Sequence, residues 1–153
     1  MRAEAHLVLV HGEVGHAAAE LKQLLARVAV TLVLLDGVGR YAIERDLSVV
    51  YPVHPRSREK LDEFDLDVSD AIDCVEPLNF LDFLRLESEA AVAFTDSGGV
   101  QEETCVLGTP CVTVRESTER PETLAVGSNV LADPTPESIV DAAAEVRRGR
   151  NDW

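Results

Sequence analysis

Lysine is almost missing from this sequence. Its 14 basic side chains comprise two lysines, Lys22 and Lys60, and twelve arginines, against 28 acidic residues. The formal net charge is −14, with an isoelectric point near 4.5. Such a surface repels phosphate backbones and anionic headgroups, which sets aside nucleic acid and membranes as partners. Long apolar runs are missing too: residues 28–35 make the longest candidate, and it stops at Asp36-Gly37, short of the ~18 residues a span needs. Arg2 and Glu4 precede a very short apolar run with no small-residue cleavage site, so no secretory leader is read and a cytoplasmic location is expected. Cys74, Cys105 and Cys111 form no C-x-x-C pair and have no histidine at ligand spacing. They are expected to be buried free thiols, with no metal site.

What is present fits a globular α/β protein. The 153 residues, 46% of them apolar, make one ordinary domain or half of a two-domain enzyme. A chain of this length buries enough surface to fold without a staple. The acids are spread along the chain, not gathered in a tail. That spread fits adaptation to high salt, where self-repulsion is screened, or an ordinary acidic surface with no specific meaning.

From residue 48 onward, short β-branched runs alternate with amphipathic stretches. Strands are expected at 48–53, 71–75, 90–94, 111–114 and 129–131. Helices are expected at 57–64, 78–86 (with Phe80, Leu81 and Leu84 in one stripe), 100–107 and 135–148. Gly108 ends the third of these helices, and Pro136 opens the last, which closes on Arg147 and Arg148. Strand–helix alternation with short links predicts βαβ units, hence a three-layer, Rossmann-like parallel sheet. The first 47 residues are less regular: a strand at 5–10, helical spacing over 17–28, and a 30–35 run that reads as a strand or as the start of a helix reaching about Arg45.

The segment T-D-S-G-G-V-Q-E-E (95–103) directly follows an apolar strand and opens a helix. Parallel sheets place ligands beyond the carboxyl ends of their strands. Gly98 and Gly99 permit a tight turn with no Cβ between backbone and ligand. The free amides of the following first turn, at the positive end of the dipole, favour an anion such as a diphosphate. Ser97 adds a hydroxyl. Of Glu102 and Glu103, one suits a ribose hydroxyl and the other a helix N-terminal charge. A glycine turn without a ligand is the alternative. Arg115 and S-T-E-R-P-E (117–122) follow the next strand, so Arg120 is placed to bring a guanidinium to the same diphosphate, unless the loop is merely a solvated charged one.

Four stretches in order, Y-P-V-H-P (51–55), E-P-L-x-F-L-x-F (76–83), T-D-S-G-G-V-Q-E-E, and L-G-x-P-x-V-x-x-R with S-T-E-R-P-E, closely resemble the non-hydrolysing UDP-N-acetylglucosamine 2-epimerases. The resemblance covers about residues 48–145. It implies one half of a glycosyltransferase-B-like architecture, the C-terminal, UDP-binding half, with no cofactor. By that resemblance Ser97, Gly98, Gly99 and Arg120 hold the diphosphate, Glu103 the ribose, and Phe83 lies near the uracil. His54 matches a histidine that in some relatives contacts a second, regulatory UDP-sugar; by its residues alone, it is either a satisfied core histidine or a ligand donor.

The family interconverts UDP-N-acetylglucosamine and UDP-N-acetylmannosamine by eliminating UDP and adding it back. That chemistry uses carboxylates of the N-terminal domain and a histidine opening an H-R-x-E-N string. The matching carboxylate domain is not recognised here. His11 is the candidate for the catalytic histidine, but G-E-V-G follows it, and a structural strand-end role is the alternative. Residues 1–47 therefore read as a diverged or partial N-terminal segment packed on the same sheet, and 48–153 as the UDP-binding, C-terminal-type domain. Three functions follow: a family member binding UDP or a UDP-N-acetylhexosamine, with autonomous epimerase activity not expected; a non-catalytic nucleotide-binding subunit; or half of a glycosyltransferase-B transferase. A homo-oligomer, or a partner chain supplying the second lobe, is expected, with self-association through exposed apolar surface.

Overall fold

The structure, a computed structural model, describes residues 6–10, 21–149 and 153. In chain order it comprises β1 (His6–Val10), α1 (Leu21–Arg45), β2 (Ser48–Pro52), α2 (Pro55–Glu63), β3 (Ile72–Val75), α3 (Phe80–Glu89), β4 (Ala90–Thr95), α4 (Gly98–Leu107), β5 (Cys111–Val114), α5 (Pro121–Ala125), β6 (Asn129–Ala132) and α6 (Pro136–Arg148). The six strands pair in parallel in the order β3-β2-β1-β4-β5-β6. This is the Rossmann-like α/β sheet that the strand–helix alternation predicts. Its central strands are apolar on both faces: Leu7, Val8 and Leu9 of β1 and Val92, Ala93 and Phe94 of β4 are all fully buried. A parallel sheet covered by helices on both sides requires this.

The two faces are built differently. On one, α1 packs along α6, and Leu34, Leu35, Val38, Tyr41 and Ala42 meet Ile139, Ala142, Ala143 and Val146 in one aliphatic cluster. The pattern Leu34, Val38, Tyr41, Ala42 is helical, and it resolves the ambiguity of residues 30–35: they belong to α1, not to a strand. Their β-branched residues are carried by the buried stripe, which outweighs their intrinsic preference. The part of the expected first helix before residue 21 lies outside the described residues. The helices of the other face are α3, α4 and α5, and there the buried side chains include Glu87, Gln101, Thr104 and Thr123.

Local signals fix the element ends. Asn79 caps α3 by accepting from the Asp82 amide at 3.1 Å, so the helix starts at Phe80 and not at residue 78. Thr135 caps α6 through the Ser138 amide at 3.2 Å. Gly108 ends α4 with φ +75°, a left-handed value that disfavours any side chain. The expected Phe80–Leu81–Leu84 stripe is not buried as such: Phe80 and Leu81 are 64% and 74% exposed, and α3 turns Glu87 inward instead. Of the thiols only Cys111 is fully buried; Cys74 and Cys105 are half-buried. Among the described residues no helix is long and apolar enough to cross a membrane, and no His/Cys/Asp/Glu group is arranged to hold a metal.

Candidate functional site

In the order β3-β2-β1-β4-β5-β6 the chain leaves β1 for β2 on one side and later enters β4 on the other. The crevice beyond the carboxyl ends of β1 and β4 is the topological switch point, where open α/β sheets take their ligands. The glycine turn lies there, at the tip of β4. Ser97 is the N-cap of α4 in extended conformation, and its side chain makes no capping bond. Its own amide donates to Thr95 Oγ1 at 2.9 Å, which bends the chain out of the strand. A Cβ added to Gly98 would meet nothing within 4 Å, and one on Gly99 only the Ser97 hydroxyl at 3.9 Å. The turn is open, and the first-turn amides of α4 have no intrahelical acceptor. Such an end is suited to an anion.

Arg120 reaches α4 from the next loop. Its Nε is 3.0 Å from Oε2 of Glu102 on α4, close enough for an ion pair but without hydrogen-bond alignment: that buried nitrogen has no hydrogen-bond partner. The guanidinium is held beside the first turns of α4 with donor capacity to spare. Glu102 is thus the helix-end charge paired with Arg120, which leaves Glu103 as the other carboxylate. Arg115 is engaged elsewhere, in a bidentate pair with Glu119 at 2.8 and 2.9 Å, and that guanidinium holds the Glu119 carboxyl below its ordinary range.

A buried polar network fixes the Arg120 loop against α4. Gln101 Nε2 donates to the Ser97 carbonyl at 3.2 Å, and its Oε1 accepts from Thr118 Oγ1 at 2.5 Å and from Asn129 Nδ2 at 3.1 Å. Asn129 also donates to Thr123 Oγ1 (3.1 Å) and accepts from Thr113 Oγ1 (2.8 Å). Thr118 Oγ1 accepts from the Arg120 amide at 3.0 Å, and Thr123 donates to the Arg120 carbonyl at 2.7 Å. Arg120 is therefore held through its backbone on both sides while its side chain stays available. A fully satisfied network of this kind is rigid. Sequence reasoning singled out Arg120 but none of Gln101, Thr118, Thr123 or Asn129 as its supports, because their partners are far apart in the chain.

Phe83 is half-buried on α3, in the part of that helix nearest the sheet's carboxyl edge. Glu87 follows one turn later on the same face, and it is fully buried with no N–H or hydroxyl donor on either carboxyl oxygen. Burial, and then the neighbouring Glu103 carboxyl, push its pKa up to about 8. Glu87 escaped notice in the sequence, where it lies between charged residues; its spacing from Phe83 and Leu84 was the available signal. His54 lies after β2, two strands from β4, where its carbonyl accepts from the amides of Ser57 and Arg58 at 2.8 and 3.0 Å. The structure thus gathers Ser97, Gly98, Gly99, Glu103 and Arg120 around α4, with Phe83 on the adjacent helix, and sets His54 apart. His11 lies outside the described residues.

A six-stranded parallel sheet with an open glycine turn at its switch point defines a Rossmann-like α/β protein. The family description "UDP-N-acetylglucosamine 2-epimerase" matches residues 7–153, and the chain belongs to that family. The UDP-N-acetylglucosamine 2-epimerase of Methanococcus maripaludis is 41% identical over 124 residues, which cover 78% of this chain and 34% of that protein. The Methanocaldococcus jannaschii enzyme is 37% identical with the same coverage. The chain thus spans about a third of the length of these relatives. A crystal structure of the M. jannaschii enzyme, in complex with UDP-GlcNAc and UDP, superposes with a TM-score of 0.80 at 31% identity, over 97% of this chain and 40% of that one. A glycosyltransferase of kitacinnamycin, 15% identical with a TM-score of 0.52, shares the fold.

Proposed function

We propose that this chain is the UDP-binding part of a UDP-N-acetylglucosamine 2-epimerase, with UDP or a UDP-N-acetylhexosamine as its ligand. The observation that carries the reading is the open Ser97-Gly98-Gly99 turn, with the Arg120 guanidinium paired to Glu102 on the helix that the turn opens. The diphosphate sits against the first-turn amides of α4 and the Ser97 hydroxyl, with Arg120 supplying a charge-assisted donor. Glu103 accepts from the ribose hydroxyls, and Phe83 lies against the uracil. Residues 48–153 form the nucleotide-binding unit, and 1–47 complete its sheet through β1. His54 is assigned to a separate contact with a regulatory UDP-sugar. The chemistry needs no cofactor, and a cytoplasmic location suits a nucleotide-sugar ligand and three free thiols.

Elimination of UDP needs a base at C2 of the sugar. Around the turn the carboxylates are Asp96, Glu102 beside Arg120 and Glu103 assigned to the ribose, and no described histidine is gathered with them. Turnover is expected to need a second lobe closing over the carboxyl edge of the sheet. Calorimetric titration of UDP into the protein in high salt tests the binding, and absence of heat and of competition by UDP-N-acetylglucosamine overturns it. Proton NMR in deuterated water then follows C2 of UDP-N-acetylglucosamine: the chain alone is expected to leave that proton in place, and exchange at C2 would show that no second lobe is required.

A further inference from the structure

Glu87 has no part in the diphosphate clamp, yet it is the most conspicuous buried acid among the described residues. It is 0% exposed, and neither carboxyl oxygen makes a hydrogen bond of regular geometry. A charged carboxylate left in that condition costs several kcal/mol, so the group must hold a proton or a partner. The main chain at Glu87 is fixed: its carbonyl accepts from Thr109 Oγ1 at 2.8 Å, which ties α3 to the loop after α4. α3 packs on α4, and after burial it is the Glu103 carboxyl of α4 that acts on Glu87, by charge and by a side-chain hydrogen bond.

The surroundings offer nothing else to neutralise it. From α4 the titratable group facing Glu87 is Glu103, and from β5 it is the buried Cys111 thiol, itself pushed up to about 12 by burial. Ala90–Thr95 of β4 contributes no ionisable side chain, and the described side chains of β1 are apolar. On α3 itself Asp82 is engaged with Asn79, and Arg85 with Glu89 at 3.0 Å on the exposed side. No described cation faces the pair. Two carboxyl groups at close range with no cation between them retain one proton. The inner, desolvated Glu87 keeps it.

We propose that Glu87 is the positioning residue for Glu103: its protonated carboxyl donates a hydrogen bond to the Glu103 carboxylate and so holds that carboxylate toward the nucleoside. The inference rests on the UDP-binding reading above. A lone glutamate at a helix surface swings among rotamers, whereas one oxygen pinned from behind leaves the other free to accept from a ribose diol. Phe83, four residues before Glu87 on the same helix, makes α3 the common support of both nucleoside contacts. When the shared proton is lost, two carboxylates repel each other and the outer one is driven from its position.

The test is calorimetric titration of UDP at pH 7 and pH 9 with the wild-type chain, Glu87→Gln and Glu87→Ala. Glutamine keeps a donor toward Glu103 and cannot titrate. The ionisations of UDP itself are common to all variants and cancel in ratios. Glu87→Gln is expected to bind within about twofold of wild type at pH 7, and Glu87→Ala about tenfold more weakly. Between the two pH values the wild-type Kd is expected to rise about tenfold relative to that of Glu87→Gln. A wild-type to Glu87→Gln ratio that stays constant with pH overturns the positioning role while leaving UDP binding intact, and it decides the matter even if Glu87→Ala does not fold. Absence of UDP binding to every variant at both pH values overturns the UDP reading itself, and the positioning role with it.

Discussion

Arg120 and Glu87 show how differently a single charge is handled on the two sides of the same helix. Arg120 stays half-exposed, its backbone clamped by Thr118 and Thr123 and its guanidinium beside Glu102. Truncating it to alanine removes a charge-assisted donor from the diphosphate and should weaken UDP binding by roughly 1.5–3 kcal/mol, about ten- to a hundredfold in Kd. Unchanged affinity by calorimetry would remove Arg120 from the phosphates. Glu87 is the opposite case, an acid kept neutral by burial. Its folded pKa of about 8 exceeds the ordinary 4.5, so the folded state binds the proton more tightly than the unfolded one. Its stability contribution is intact below pH 4.5, is lost progressively as pH climbs, and is gone above about 8. Glu87→Gln is therefore expected to match wild type near pH 4.5 and to be more stable by roughly 2–4 kcal/mol at pH 9, read from urea midpoints. Equal pH dependence in the two proteins would mean that Glu87 does not titrate in this window.

Among elements, α1 and α6 pack against each other, and Gly37 makes the approach possible. A Cβ at that position would fall 2.9 Å from Ile139 Cβ, an atom fixed to its helix that cannot swing aside. Alanine gains about 1 kcal/mol of helix propensity but overpacks the contact by 1–3 kcal/mol. The expected result for Gly37→Ala is net destabilisation of about 1 kcal/mol in a urea melt with unchanged slope. The elements legible in the sequence were those with a local signature. β5 stands between Pro110 and Arg115 as a run of four apolar or β-branched residues; α6 has Thr135, Pro136 and two terminal arginines. The glycine turn was legible because strand and turn are adjacent in the chain, and Arg120 because its loop follows the next strand; of Glu102 and Glu103 the residues alone left the ribose contact open, and Glu103 came from the family resemblance. α1 was ambiguous because valines and leucines at 30–35 suit a strand as well as a buried helix. α5 was missed because five residues within a charged string carry no period. The Gln101–Asn129 network and the Glu87–Glu103 pair were illegible because they join distant residues, and only the fold makes them neighbours.

For the molecule as a whole, the net charge of −14 works against compaction at low ionic strength, since exposed carboxylates repel one another over about 10 Å at 0.1 M salt. Raising KCl from about 0.1 to about 2 M should shorten that range to a few ångströms and raise Tm by about 5–10 °C. A flat dependence, measured by calorimetry, would mean that the acids are already neutralised by local pairing, as Asp36 and Glu137 are around Arg40.

The position of β1 has a consequence for assembly of the chain. It is the first of the described strands, yet it stands third in the sheet, flanked by β2 and β4. During synthesis it can zip to β2 at once, but its other edge stays bare until β3 and α3 have been made and β4 arrives. The order of manufacture thus leaves the apolar Leu7–Val10 ribbon waiting for its second neighbour, and the crevice at the switch point comes into being only when that neighbour docks.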